Sequence, residues 1–466
     1  MASRRFSPFL ISTALAAGLA LGSGPLAAET LTDALITAYQ TSPLLEANRA
    51  ALRNLDENVP QARANRRPQV GASISGQTGT TVEELDFGVA GIEASLTATL
   101  LLFDNGQTAA AVEAARNQVA SGRADLKDVE QLVLFNAVQA YVDVRRDEEF
   151  VRLAVNDVDR LDETLSATQN RFDVGEVTRT DVSQSEARLA ESRSQLAAAR
   201  GQLEISREAY RAAVGVAPGN LERLPKLPDL PATLEEATAI GVQRNPQVVA
   251  AQFNERAAVY NFDRALAAKG PTISVGGSVG VERLRQNPQL DYDGSTFGQA
   301  SISANLPLYT GGRNDSLVRQ AQAVLDQRRF LVQDVARQVT QQVAAAWAQL
   351  QVAQASIVAR RQQAEASRIA AEGVAEEARL GARSTLEVLD AVQENLQAEA
   401  QIVQALRDEY VASYALMRAM GLLTVEHLRL GIESYNPDVY FSKVQSGPRG
   451  GYDTSAVDRI RQRWER

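Results

Sequence analysis

The chain repeats itself at a nearly constant spacing, and this repeat limits the available folds more than any other feature. Pro68 matches Pro271 at an offset of 203 residues, and Gly175 matches Gly381 at an offset of 206 residues. One insertion of three residues between about residues 70 and 100 reconciles the two offsets. Two offsets held over nearly 190 residues do not arise by chance, so we expect two copies of one structural unit.

Each copy opens with helix signals and continues with an alternating pattern. A capping residue followed by proline begins a helix in both copies, at Ser42-Pro43 and at Asn245-Pro246. Apolar and polar residues then alternate over about 69–103 and about 272–309. A period of two predicts strands, so each copy contains a β-hairpin and the chain has four strands. Their lengths suit tilted strands that cross a membrane between lipid and a wet lumen.

Two very long helices follow the hairpins. The stretches from about Asn105 to Phe172 and from about Asn314 to Arg379 contain no proline and are rich in Ala, Gln, Arg and Glu. At about 1.5 Å per residue each helix is roughly 100 Å long, which exceeds any compact domain. Turns at Gly175 and Gly381 then reverse the chain into return helices. The helical part is therefore predicted to be two antiparallel hairpins.

The composition excludes most catalytic chemistry. The chain has no Cys and one His, His427, so disulfides, thiolate zinc sites and cysteine nucleophiles are ruled out. No motif combines a nucleophile, a base and an orienting group, so we expect neither an enzyme nor a bound cofactor or metal. The net charge of -9 makes nucleic acid an improbable partner.

The first 28 residues are predicted to be a secretory signal peptide. Arg4 and Arg5 precede an apolar run that starts at Phe9, and the small pair Ala27-Ala28 precedes the expected cleavage site. No later stretch reaches the length of about 18 to 20 apolar residues that a membrane-spanning helix requires. The mature chain is therefore an exported protein whose alternating strands are its candidate membrane element.

Four strands cannot close a barrel by themselves. An open sheet edge in lipid leaves backbone groups without hydrogen bonds at a cost of several kcal/mol each, so the protomer must pair with copies of itself in contact with outer-membrane lipid. Two copies would give eight strands around a filled interior, whereas three would give twelve strands around an open channel. The polar strand faces favour the homotrimer. Its long helices would form a hollow cylinder below the barrel.

The predicted fold is mainly α with a small β part. The signal peptide is 1–28, the first repeat 29–215, the linker 216–232, the second repeat 233–421 and the periplasmic C-terminal tail 422–466. The linker is marked by a cluster of prolines: Pro218, Pro225, Pro228 and Pro231. From about Glu433 the tail is rich in Gly, Pro and charge, so we expect it to be partly disordered.

Three segments carry a family resemblance: 171–182 (RFDVGEVTRTDV), 307–312 (PLYTGG) and 384–391 (STLEVLDA). With the order of elements over about residues 30 to 430, they resemble the TolC family of outer-membrane channel proteins. The resemblance implies a trimeric exit duct in the outer membrane of a Gram-negative bacterium. Such a duct works with a periplasmic adaptor and an inner-membrane exporter, proton-driven or of the ABC type, in drug efflux or type I secretion.

Two acids in the second repeat are predicted to line a gate. Glu387 and Asp390 are three residues apart and share one helix face, so threefold symmetry would gather six carboxylates. Repulsion between like charges should raise their pKa values, and the ring should favour cations. The resemblance places two such acids at the periplasmic constriction, with Glu here in place of the first Asp.

The resemblance also implies links that hold the gate closed. It places Arg383, Thr180 and Asp181 at these links, and Ala378 stands where the family often has Tyr. The implied adaptor-docking tips lie around Gly175 and Gly381. One alternative is that the gate and link residues are ordinary solvated helix residues. Another is a periplasmic coiled-coil scaffold or adaptor that forms no pore, which would have no need for four alternating strands.

Overall fold

The structure is a computed structural model that describes residues 29–79, 89–285 and 293–445. The predicted signal peptide and the end of the predicted tail lie outside these residues. The first copy contains α1 (Leu31–Thr41), α2 (Pro43–Asp56), α3 (Asn58–Ala64), β1 (Gln69–Gly79), β2 (Val89–Phe103), α4 (Gln107–Asp173) and α5 (Arg179–Val214). The second contains α6 (Leu234–Arg244), α7 (Pro246–Ala267), β3 (Thr272–Arg285), β4 (Asp293–Asn305), α8 (Arg313–Arg379) and α9 (Thr385–Ala419), and α10 (Asp438–Val444) follows.

The two long helices, α4 and α8, are 67 residues each, as the absence of proline predicted. Each begins after a glycine in the left-handed conformation, Gly106 or Gly312. Helix α4 packs against α5, α7 and α9, and α8 packs against α9, α7 and α6. Within the described ranges, no helix combines the length and the apolarity needed to cross a membrane.

The four strands form one antiparallel sheet in the order β1-β2-β3-β4. The register pairs apolar residues across all three strand junctions: Val70 with Ala98, Leu96 with Val279, and Val275 with Ile302. Polar residues are paired on the other face, as in Ser73 with Ser95 and Ser278 with Gln299. The predicted separation of an apolar face from a polar face is therefore confirmed.

Among the described residues, nothing packs on the apolar face of the sheet. Ile74 is 82% exposed and Ile302 is 77% exposed. Such a continuous apolar surface is unusual for a protein that water surrounds on all sides. The sheet is thus suited to an environment other than bulk water.

The main hydrophobic core lies about halfway along the long helices. Short helices and the proline-rich linker wrap this region, where Leu134, Tyr141, Val343 and Leu416 are fully or almost fully buried. The Tyr141 hydroxyl lies 2.9 Å from the carbonyl oxygens of both Glu29 and Glu222 and is their hydrogen-bond donor. Burial raises the pKa of Tyr141 to about 12, so the phenol remains a donor at physiological pH.

Part of the predicted tail is ordered, since residues 433–445 dock on the first copy, and the rest of the tail lies outside the described residues. Helix α10 packs against α2. Asp438 pairs with Arg123 at 2.8 Å, and the Tyr440 hydroxyl donates a hydrogen bond to Glu57 at 2.7 Å. Phe441 packs beneath the Arg123 guanidinium. Composition indicated disorder, but the aromatic residues within the segment supply enough apolar contact to dock it.

Candidate functional site

The candidate site lies at the end of the helical hairpins far from the sheet, where α4 turns into α5 and α8 turns into α9. Gly175 and Gly381 occupy the left-handed region with φ of 81° and 80°. At the first turn the N–H of Glu176 bonds the Arg171 carbonyl at 2.9 Å, which satisfies a carbonyl at the end of α4. An added Cβ at either glycine would meet nothing within 4 Å, so backbone conformation alone favours glycine there.

Asp181 is held by the start of its own helix. Its carboxylate accepts hydrogen bonds from the Thr178 N–H at 2.8 Å and the Thr178 hydroxyl at 2.7 Å. Both bonds lower the pKa of Asp181, and the bond from the Thr178 hydroxyl has the larger effect. The neighbouring Thr180 is exposed on the first turn of α5.

Glu387 closes the equivalent capping box at the start of α9. Its carboxylate accepts bonds from the Ser384 N–H at 2.8 Å and the Ser384 hydroxyl at 2.9 Å, and it pairs with Arg383 at 2.8 Å. The backbone bond from Ser384, with those from Arg383 and the Ser384 hydroxyl, lowers the pKa of Glu387 to about 2. The expected rise in pKa is therefore not found within one protomer, because the cap and Arg383 stabilise the ionised carboxylate there.

Arg383 bridges the two sides of the second turn. Its guanidinium lies 2.8 Å from Glu377 near the end of α8 and 2.8 Å from Glu387 on α9. Within the described protomer it is thus engaged by its own tip and not by Thr180 or Asp181. A link to those residues in a neighbouring copy stays a prediction. Ala378 is buried at the end of α8.

Asp390 has a partner that the sequence did not reveal. The Arg188 guanidinium on α5 lies 2.6 Å from the Asp390 carboxylate on α9. Beside this pair, Leu161, Leu189 and Leu389 form a small buried cluster that joins α4, α5 and α9. The sequence offered only an indirect indication of this partner, because an acid such as Asp390 that is crowded by other acids is stabilised by a nearby cation.

The helical hairpins and the sheet together define a class of protein. Two long helical hairpins meet at a charged tip, and at their far end a four-stranded sheet exposes an apolar face and two open edges. This combination is that of a membrane-inserted protein with a long helical extension.

Comparison with known proteins identifies the family. The model described as "Outer membrane efflux protein" matches residues 35–216 and 242–422, one match in each repeat. The chain is 34% identical to the outer membrane efflux protein BepC of Brucella suis over 92% of this chain and 94% of BepC. It is 24% identical to the outer membrane protein TolC of Escherichia coli over 91% and 88% of the two chains. The chain belongs to the outer membrane efflux protein family.

A solved structure agrees in fold. The outer membrane protein VceC of Vibrio cholerae superimposes with a TM-score of 0.70 at 20% identity, covering 84% of this chain and 96% of VceC. The resemblance to the TolC family is therefore confirmed. The protein is an exit duct of the Gram-negative outer membrane and not an enzyme, and nothing in these matches supports the scaffold that forms no pore.

Proposed function

We propose that three copies of this chain close into a twelve-stranded barrel in the outer membrane, above a helical cylinder in the periplasm. The observation that carries the proposal is the sheet. In the described protomer β1 and β4 each pair on one side only, and the apolar face between them is bare. Joining β1 of one copy to β4 of the next would satisfy both edges and turn every apolar face towards lipid.

The long helix α8 supports the same assembly. Several of its large apolar side chains are exposed in the protomer: Phe330, Val352, Val358 and Ile369. They recur along most of the helix, whereas α4 is covered by α5, α7 and α9. A neighbouring copy packed against α8 would cover this stripe and continue the wall of the cylinder.

The proposed duct divides the chain as the repeat indicates. Residues 1–28 would be removed on export, and residues 29–215 and 233–421 would each supply two strands and one helical hairpin. The linker 216–232 would lie along the outside of the cylinder. The tail 422–466 would remain in the periplasm.

The proposed gate is the ring formed by Glu387 and Asp390 from three copies. Their positions at the start of α9 support a constriction where the helices converge, because both lie within two turns of the tip. Arg383, Thr180 and Asp181 would hold the inner helix pair, α8 and α9, and the outer helix pair, α4 and α5, together in the closed state. Opening would separate these helices, and cargo would then pass without any chemistry.

The tips around Gly175 and Gly381 are the proposed contact for a periplasmic adaptor, which would connect the duct to an inner-membrane exporter. Both turns are exposed and share one backbone conformation, so the trimer would present six similar turns in a ring. Both a proton-driven exporter and one of the ABC type fit this proposal, since either would meet the same ring through the adaptor.

The oligomeric state tests the proposal directly. Purified mature protein in detergent should have three times the protomer mass by light scattering, and should migrate as a heat-sensitive trimer in unboiled gels. Outer-membrane fractions should contain this trimer. A monomer or dimer that stays in the soluble periplasmic fraction would overturn the proposal.

A further inference from the structure

We propose that Arg188 is both the latch of the gate and the counter-ion of Asp390. It ties the inner return helix α9 to the outer return helix α5 while the duct is closed, and it neutralises the acid that the open pore uncovers. The inference rests on the proposed gate and assigns a role to a residue outside the predicted ring.

The ion pair joins two different helical hairpins. Arg188 Nη2 lies 2.6 Å from Asp390 Oδ1, with 32% of the arginine side chain and 56% of the aspartate side chain exposed. Arg188 also lies 3.3 Å from Glu191, one turn further along α5. Arg188 therefore bridges an acid of its own helix and an acid of α9.

A small apolar cluster fixes the geometry of this pair. Leu189 and Leu389 are the neighbours of Arg188 and Asp390 in sequence, and both are buried together with Leu161 of α4. Because these leucines set the rotation of α5 and α9, the two charged side chains lose less conformational freedom when they pair. The ion pair is thus more than a chance meeting of two mobile side chains.

Ala378, which stands where the family often has Tyr, cannot connect α8 to α5 through its side chain. Ala378 has only a methyl group and offers no hydrogen bond to α5. Asp181, the acid nearest the start of α5, is already bonded by Thr178. In the described protomer, the ion pair between Arg188 and Asp390 connects α5 with α9 near the tip.

The pair couples opening to ion selectivity. While the latch is closed, Arg188 offsets the negative charge of Asp390. When α9 moves away from α5 the pair breaks, and the Asp390 carboxylates face the pore without their counter-ions. Opening therefore adds cation selectivity as well as width.

The test compares open probability, single-channel conductance and cation selectivity in planar bilayers for wild type, Arg188→Ala and the matched control Arg193→Ala. Arg193 lies on the same helix but pairs with Asp162 of α4, inside the outer hairpin. Breaking an exposed ion pair shifts an equilibrium by about twofold, so three latches per trimer should raise the open probability by about eightfold. Arg188→Ala should also increase cation selectivity, whereas the control should resemble wild type.

A charge exchange keeps the test valid if the alanine variant assembles poorly. Arg188→Asp with Asp390→Arg should restore the small conductance of wild type, while either single change should not. Arg188→Ala that conducts and selects like Arg193→Ala would overturn the latch and leave the duct standing. Wild-type protein that inserts no channel would instead overturn the proposed function, and the latch with it.

Discussion

The Glu387 carboxylate accepts a hydrogen bond from the Ser384 N–H at 2.8 Å, so an acid of the predicted gate ring also caps the helix that carries it. The cap and the Arg383 guanidinium both favour the ionised form. The charge of Glu387 is therefore set first by its own helix start, and crowding with other copies acts against that preference.

The low pKa of Glu387 predicts cation selectivity that resists acid. In an Asp390→Asn background, which leaves Glu387 as the only acid of the ring, selectivity should persist from pH 7 down to about pH 4, because a carboxyl with a pKa of about 2 remains ionised there. Reversal potentials across a salt gradient measure this. The control is Asp390→Asn with Glu387→Gln, which should lack the selectivity throughout. Loss of selectivity near pH 6 would mean that repulsion across the trimer outweighs the cap.

Removal of Arg383 should loosen the gate. Arg383→Ser breaks the bridge between Glu377 and Glu387 and any link to a neighbouring copy, so single-channel conductance should rise. The matched control is Arg379→Ser, since Arg379 pairs in the described chain with Glu376, one turn earlier on its own helix. Equal conductance in Arg383→Ser and wild type would contradict this role.

Asp56 predicts an unusual dependence of stability on pH. Both carboxylate oxygens are buried without a hydrogen-bond partner in the described chain, and burial raises the pKa to about 6 against the opposing attraction of Arg123. Between about pH 4 and pH 6 the folded state keeps a proton on Asp56 that the unfolded state has lost. The contribution of Asp56 to the free energy of unfolding therefore falls as the pH rises through this range.

The corresponding variant is Asp56→Asn, which cannot ionise. Relative to wild type, it should raise the melting temperature measured in detergent at pH 7.5 and change it much less at pH 4. Asp162→Asn, at an exposed position on the same protomer, is the control. A gain that is equal at the two pH values would show that ionisation of Asp56 is not the cause.

The two faces of the sheet should respond oppositely to charge. Ile302→Lys places an ammonium on the apolar face, at a cost of about 2 to 4 kcal/mol near the middle of a bilayer, and should reduce the amount of assembled trimer in the outer membrane. Gln299→Lys, on the polar face of the same strand, should assemble normally. Trimer yield on unboiled gels distinguishes them. Equal loss in both variants would argue against a lipid face.

The large features of this fold were readable from the sequence because each depends on a local period. The alternation around Val70 and Ile302 sets the faces of the strands, and the absence of proline allows helices of 67 residues. The capping box at Ser384 and Glu387 also has a local signature, a serine followed three residues later by a glutamate, which the prediction of the gate left out. Its effect on the pKa of Glu387 was therefore missed.

Other features depend on how distant segments meet. Whether Arg188 reaches Asp390 depends on the rotation of two helices that are far apart in sequence, and a shift of one residue turns a side chain by about 100°. Docking of α10 likewise requires the surface that Arg123 and Glu57 form together. Neither arrangement produces a periodic pattern in the sequence from which it could be predicted.

Planar-bilayer conductance of the purified mature protein tests the central claim most directly. Wild type should give a small, cation-selective conductance, and Glu387→Ala with Asp390→Ala should conduct while losing that selectivity. A protein that forms trimers but never inserts a conducting channel, or a variant whose selectivity equals that of wild type, would contradict a gated exit duct with this acidic ring.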